Sequence, residues 1–444
     1  MSESRLTRLE PPMKRACVLG ILLGVACDNT KAPDHTASGD NLESDADAAQ
    51  DSGDDAIDDG VTWHKDVSPL LEQNCTGCHN PQGISFDLTS YPETALLAEA
   101  LVGATESGSM PPWPPSRECR PLLHERTLSE ADRQILRDWS ARGTPEGDPA
   151  TAPAPAESEF VPPDEDLTLT LPEPYTPIGA TDDYRCFVVD PQLTDTARIT
   201  GFQVHPDNSA IVHHVLVYTD TEGIAATLDE RDEGPGYTCF GGPGFNETSV
   251  VGAWAPGSPG YRLPHNTAVS LEAGTALVLQ VHYSPAGDPG GSDQSSVSFD
   301  LADADEDRQS AFFVPFVDTR LEIPPGAEAH EEGVTFTLDY GINLQFFGGG
   351  PHLHRLGSSI SVHLRKPDQE EFDCIMEIPR WDFNYQEIYF LKDPVVIEDG
   401  DEVSLRCVYD NSDTNPYSTG DYVYWGDATN DEMCLIYALA GLGG

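Results

Sequence analysis

Past about residue 165 the chain stops offering helical periodicity, and short apolar runs bounded by turn residues take its place. Runs such as 276–283 and 311–317 have the length of buried strands, and 39 glycines and 37 prolines supply the turns between them. That pattern admits a mainly β body and little else. A chain of 444 residues also exceeds what one hydrophobic core organises, so more than one domain is expected. An acidic stretch at 302–307 divides the body into 167–305 and 306–444. Each half has roughly the size of a β-sandwich.

The first third is organised differently. Lys14 and Arg15 precede an apolar run at 16–26, too short to span a membrane but suited to a signal peptide, so residues 1–27 are expected to direct export. Leu23-Gly24-Val25-Ala26-Cys27 approximates a lipoprotein signal with its leucine one place early, which leaves lipidation of Cys27 and plain cleavage both open. Residues 28–60 hold eleven acidic side chains against Lys31 alone and read as a disordered acidic tether. A small module at 61–147 follows. Residues 148–166, continuing a Pro-, Ala- and acid-rich composition that starts at Gly143, read as a linker long enough for module and body to meet transiently. The net charge of −52 excludes nucleic acid and anionic lipid surfaces as partners, so a membrane is reached only through a lipid on Cys27.

In the small module, Cys75-Thr76-Gly77-Cys78-His79 has the pattern for covalent haem attachment, with the two thiols bonding the vinyl groups and His79 becoming the proximal iron ligand. A Cys-x-x-Cys redox or zinc pair is the competing reading. Val67, Leu70 and Leu71 suggest a short helix before the motif, with Pro69 in its first turn. A second helix is expected from about Leu128 to Arg142, burying Leu128, Ala131, Ile135 and Trp139, capped by Thr127 with Glu130 or Ser129 with Asp132, and ended by Gly143. Between them, Met110-Pro111-Pro112 resembles the distal loop of class I cytochromes c. That resemblance makes Met110 the sixth iron ligand, with His124 as rival and a core methionine as the plain alternative.

Within the body, His213 and His214 interrupt an apolar run, and His282 interrupts another. Neighbours on a regular strand face opposite ways, so His213 and His214 reach one ion only across a bulge or strand end. His352 and His354 share a face on an extended chain, and Met433 adds a soft thioether that favours Cu(I). Each residue alone is more simply a core residue; the set in this order is not. His205, His265, His330 and His363 carry no such support and read as ordinary residues.

The succession His213-His214, His282-Tyr283, His352-Leu353-His354, Asp431-Glu432-Met433-Cys434 resembles the copper type II, ascorbate-dependent monooxygenases from about Leu167 onward. The resemblance implies two packed jelly-roll β-sandwich domains behind a small all-α cytochrome c domain. It implies two copper ions, one held by His213, His214 and His282 that donates electrons, the other by His352, His354 and Met433 that binds dioxygen. Tyr437 matches the family's active-site tyrosine. The resemblance further implies a Cys407–Cys434 disulfide; Cys186 with Cys239 is the second candidate bridge, and Cys119 and Cys374 stay unassigned. Where peptide-amidating members place an arginine and an asparagine for substrate, this chain has Gly350 and Leu435, which argues for a less charged substrate than a glycine-extended peptide.

The expected function is an exported, periplasmic or cell-surface oxidoreductase that hydroxylates a C–H bond of a small molecule with dioxygen. Its electrons arrive through the haem from an external donor, ascorbate or a redox protein. A non-catalytic haem and copper electron carrier is the alternative, although a blue-copper carrier needs a cysteine thiolate beside two histidines.

Overall fold

In the computed structural model, residues 60–81, 86–154, 162–179, 182–246, 249–255, 258, 260–303 and 306–443 are described. The signal segment with Cys27 and the acidic tether up to residue 59 lie outside them. Among the described residues, no helix is long and apolar enough to cross a membrane.

The body is mainly β. A nine-stranded sheet runs in the order Leu167–Thr170, Ser296–Leu301, Ala197–His205, Thr267–Leu271, Gln309–Val317, Leu435–Leu442, Leu344–His352, Tyr389–Ile397, with Tyr261–Arg262 pairing to Ala197–His205. A five-stranded sheet that includes Asp183–Val189, Val212–Asp220 and Ala276–Tyr283 shares one core with its first part, through Phe187, Val215 and Leu279 on one side and Phe202, Val269 and Phe299 on the other. A four-stranded sheet of His330–Thr337, Glu402–Tyr409, Gly357–Arg365 and Asp373–Ile378 shares a second core with its last part, through Leu405, Ile360 and Ile375 against Phe346, Leu391 and Ile436. The period-two alternation of the outer strands and the near-continuous apolarity of Ala276–Tyr283, buried over seven of its eight residues, follow from this layering.

The acidic stretch at 302–307 does not separate two sheets. Gln309–Val317 returns parallel to Thr267–Leu271 with Gln309 opposite Thr267, so one sheet continues from the first half into the second. Periodicity cannot report such a non-local pairing.

The helical segment has its own core of Trp63, Leu70, Leu71, Leu101, Leu136 and Trp139. The helix Glu130–Ala141 begins at a capping box in which Ser129 and Asp132 satisfy each other's backbone N–H groups, which decides between the two caps the sequence allowed. Gly143 follows its C-cap at φ +77°. Its buried face is rotated from expectation: Leu136 and Trp139 are buried and Ala131 is exposed, because the helix packs on Trp63 and on the helix Ala98–Glu106 rather than along the Ala131 stripe.

Transient meeting is overturned. Residues 113–126 lie on the carboxyl-terminal half as an added edge. Ser116 donates to Glu377 O, Leu123 to Phe390 O, and Lys392 to Pro121 O, at 2.8 Å each. A Cys119–Cys374 disulfide closes the contact across 255 residues, while Cys186–Cys239 and Cys407–Cys434 bridge within each half. By chain entropy a bridge of the first kind contributes about 5 kcal/mol. The linker is therefore not what holds the two parts together.

Candidate metal centre

His213 and His214 sit near the start of Val212–Asp220, where the register against Ala276–Tyr283 shifts between Val212 and His214. This bulge is the device that lets adjacent imidazoles point to one place. His282 stands directly opposite His214 on the neighbouring strand. The Nδ1 atoms of His213 and His214 are 3.3 Å apart, as are those of His214 and His282. Metal–nitrogen bonds of about 2.0–2.1 Å at tetrahedral angles put donor atoms about 3.3 Å from one another, so the three nitrogens fit a single ion. Asp182 accepts from His282 Nε2 at 2.9 Å and Tyr184 stacks on the same ring at 4.1 Å, which fixes its Nδ1 inward.

The second set comes from the other half. His352 ends the strand Leu344–His352, and His354 lies just beyond with its ring 5.1 Å away. That strand needs its glycines. Gly348 has φ +146° and a Cβ there would meet Tyr389 O at 2.1 Å; one at Gly349 would meet Tyr437 O at 2.6 Å. In this set it is Nδ1 that is engaged: His352 Nδ1 donates to Gln386 Oε1 at 2.7 Å and His354 Nδ1 to the Asp431 carbonyl at 3.0 Å, leaving each Nε2 for a metal. Met433 is buried, its carbonyl held by the Tyr409 hydroxyl at 2.7 Å, and the Cys407–Cys434 bridge anchors the next residue.

Glu432 is fully buried and accepts the backbone N–H groups of His354 and Leu356 at 2.9 and 2.6 Å, tying the Met433 segment to the His354 turn. Burial pushes its carboxyl up to about 7 against those hydrogen bonds. Burial likewise holds His213 and His352 down at about 4, His354 at about 3 and His214 well below its usual value, so these imidazoles are neutral donors at neutral pH.

The two sets face one another. The rings of His214 and His352 are 6.5 Å apart, and Phe383 stacks on His213 at 5.2 Å while lying 6.1 Å from His354. A cavity of about 280 Å³ is lined by His214 on one side and His352, His354 and Met433 on the other. Its remaining wall is largely apolar or aromatic, with Trp254, Phe313, Leu435 and Trp425, and among the described residues it includes no Lys or Arg. Tyr437 lines it too, hydrogen-bonded to Tyr218, its phenol raised by burial. Asp427 brings a carboxyl raised by burial.

The other sequence candidates sit apart. His205 contacts Ser298, His265 the Leu391 carbonyl, His330 Glu332 and His363 Ser361. In the helical segment Cys75 and Cys78 are not joined in a disulfide and His79 is buried, donating through Nδ1 to the Phe86 carbonyl at 3.1 Å. Met110 is 39% exposed and lines a different cavity, and His124 is exposed at φ +53°. Sequence reasoning missed Asp182, Gln386 and Phe383. Only the Asp431-Glu432 pair, adjacent to Met433, carried a signal for its role.

Residues 316–439 match the family model described as copper type II ascorbate-dependent monooxygenase, C-terminal domain. The chain is 29% identical over 264 residues to DBH-like monooxygenase protein 2 of Mus musculus, covering 52% of this chain and 38% of that protein. It is 25% identical over 281 residues to peptidyl-glycine alpha-amidating monooxygenase A of Xenopus laevis, covering 62% of this chain and 28% of that one. The chain thus spans well under half the length of these two relatives. Among solved structures, the VP2 subviral particle of infectious bursal disease virus overlays with a TM-score of 0.20 at 10% identity, over 66% of this chain and 75% of that chain, a likeness from which nothing is argued. The family these sequence matches support is that of the copper type II ascorbate-dependent monooxygenases, by its model over 316–439 and by relatives over 52–62% of the chain.

Proposed function

We propose that this chain is an exported copper monooxygenase that hydroxylates a C–H bond of an organic substrate with dioxygen. One observation carries the reading: three imidazoles of one half cluster around His214, and His214 faces two imidazoles and a thioether of the other half across a single, mostly apolar cavity. Bound copper supplies single electrons and the centre at which dioxygen is reduced. The chain's own residues do the rest. His213, His214 and His282 present Nδ1, while His352 and His354 present Nε2 beside the Met433 thioether, whose softness favours Cu(I). The apolar wall excludes water, and Tyr437 offers a protonated hydroxyl to the cavity. A wall without Lys or Arg, with Gly350 and Leu435 on it, suits a substrate lacking a free carboxylate.

The Cys75–His79 motif fits a c-type haem. Neither thiol is in a disulfide, and His79 donates its Nδ1 proton to a carbonyl, which leaves Nε2 for iron. Such a haem supplies a one-electron store, reloaded by an external donor. The purified mature chain should bind two coppers and one covalent haem, and the reduced protein should incorporate one atom of labelled dioxygen into a small aromatic or aliphatic candidate. Full metal occupancy by zinc after copper loading, or oxygen consumption without incorporation into any product, counts against the enzyme and favours a haem and copper electron carrier.

A further inference from the structure

The segment between the strands Asp373–Ile378 and Tyr389–Ile397 reaches both histidine sets. Trp381 donates through Nε1 to the His354 carbonyl at 3.2 Å, Phe383 stacks on His213, and Gln386 accepts from His352 Nδ1. Yet residues 382–388 belong to no strand and turn on themselves, the Tyr385 N–H donating to the Asp382 carbonyl at 3.1 Å and Gln386 Nε2 to the Phe383 carbonyl at 2.8 Å. Among the described residues, hydrogen bonds tie 382–388 to the rest of the chain at two side chains only, His352 and Arg126. A group that orients a metal ligand must itself be held, and here one of the two ties is the ligand.

Arg126 supplies the other from outside the β body. It ends the added edge 113–126 and stands two residues before Leu128, which is buried in the helical core. One terminal nitrogen, Nη2, donates to both the Tyr385 hydroxyl and the Glu387 carboxylate, the residues on either side of Gln386. Tyr385 donates in turn to Glu387 at 2.8 Å, which closes the three side chains into a ring of contacts. The guanidinium lies against two aromatic rings, 5.6 Å from that of Trp113 and 5.8 Å from that of Tyr385, and the Arg126 and Glu387 side chains are only 27% and 16% exposed. A charge-assisted pair this shielded holds more firmly than an ion pair on an open surface. The Cys119–Cys374 bridge and the backbone bonds of Leu123 and Lys392 fix the edge from which it reaches.

Resting on the copper reading above, we propose that Arg126 is a positioning residue for the second set: by clamping Tyr385 and Glu387 it holds Gln386, and through Gln386 it keeps His352 Nε2 turned to the metal. The helical segment thereby sets the geometry of a site to which it contributes no ligand. The effect is confined to one imidazole, because His354 is oriented by the Asp431 carbonyl instead. The first set has its own orienting carboxylate in Asp182.

The test uses the full mature chain as wild type, Arg126→Ala, Arg126→Lys, Gln386→Leu, the double variant of Arg126→Ala with Gln386→Leu, and Arg117→Ala, a control on the same edge whose partners Glu125 and Thr127 lie outside the β body. Copper affinity is read at each set by chelator competition, and backbone hydrogen exchange over 381–388 is read in the metal-free protein. Arg126→Ala should weaken copper at the second set roughly tenfold, leave the first set within about twofold, and speed exchange over 381–388. Arg126→Lys should recover most of the loss, because a single nitrogen makes both contacts and an ammonium can stand in its place. Arg117→Ala should match wild type, and in the Gln386→Leu background Arg126→Ala should cost nothing further. If wild type binds copper at the second set and Arg126→Ala keeps that affinity, weakens both sets equally, or adds its loss in full to that of Gln386→Leu, the proposal is overturned and the copper reading stands. If the second set of the wild type binds no copper, both fall.

Discussion

The two histidine sets hold similar donors by opposite means. In the first, a bulge turns His213 beside His214, Asp182 takes His282 by Nε2, and the Nδ1 atoms of His213 and His282 each lie 3.3 Å from that of His214. In the second, Gln386 and the Asp431 carbonyl take Nδ1, Nε2 is left for the metal, and the third donor is Met433 on a strand entry held by Glu432 and a disulfide. The first set is built from side chains on two paired strands. The second lies at the end of another strand pair, where His352 stands opposite Leu435 and His354 and Met433 fall just outside the ladder, so its geometry depends on buried ties between backbone groups. One site is rigid by its sheet, the other by its hydrogen bonds.

Met433→Ile gives the largest effect expected from that difference. It removes the soft donor while conserving volume, so turnover should fall to background with the fold and the first-set copper retained. Copper stoichiometry with product analysis checks this, and undiminished turnover removes Met433 from the site.

Glu432→Ala comes next. It strips acceptors from the buried N–H groups of His354, Leu356 and Met433, and at about 1–3 kcal/mol for each orphaned donor it should cost about 4 kcal/mol. Thermal unfolding of the metal-free protein reads it. A loss below about 1 kcal/mol would mean that the second site is not held by its backbone ties.

Smaller still are Asp182→Asn and Gln386→Leu, each expected to weaken copper roughly 10–100-fold at its own set. Competition with a chelator, read separately at each site, breaks the comparison if either change affects both sets equally.

How much of this was legible is uneven, and the reason is physical. Strand-forming runs and ligand types are local properties, so His213, His214, His282, His352, His354 and Met433 could be marked from sequence, and the need for a bulge at His213 could be argued from the two-residue period alone. Their closeness could not. The 6.5 Å between His214 and His352 depends on a sheet that passes through the acidic stretch by parallel pairing, and on Phe383 lying between the sets. Asp182 is a hundred residues from the histidine it orients. Cys119 and Cys374 could not be paired because the added edge at 113–126 has the composition of a loop, and only its backbone hydrogen bonds reveal it.

The smallest effect is expected at Tyr218, which lies on the first-set strand yet hydrogen-bonds Tyr437 on the strand that follows Met433. This bond joins the two regions through the cavity wall without touching either set of ligands. Tyr218→Phe removes one hydroxyl of a neutral pair, worth about 1 kcal/mol, and leaves the ring in place. If Tyr437 only packs, turnover should not change beyond the small loss of stability. If its hydroxyl must be held toward the cavity, kcat should fall by less than about tenfold while both coppers stay bound. Tyr437→Phe should then give a decrease at least as large, and the double variant no more than the larger single one, because both changes remove the same oriented hydroxyl. Additive losses in the double variant would separate the two tyrosines and leave Phe383 and the shared sheet as the structural connection between the two sets.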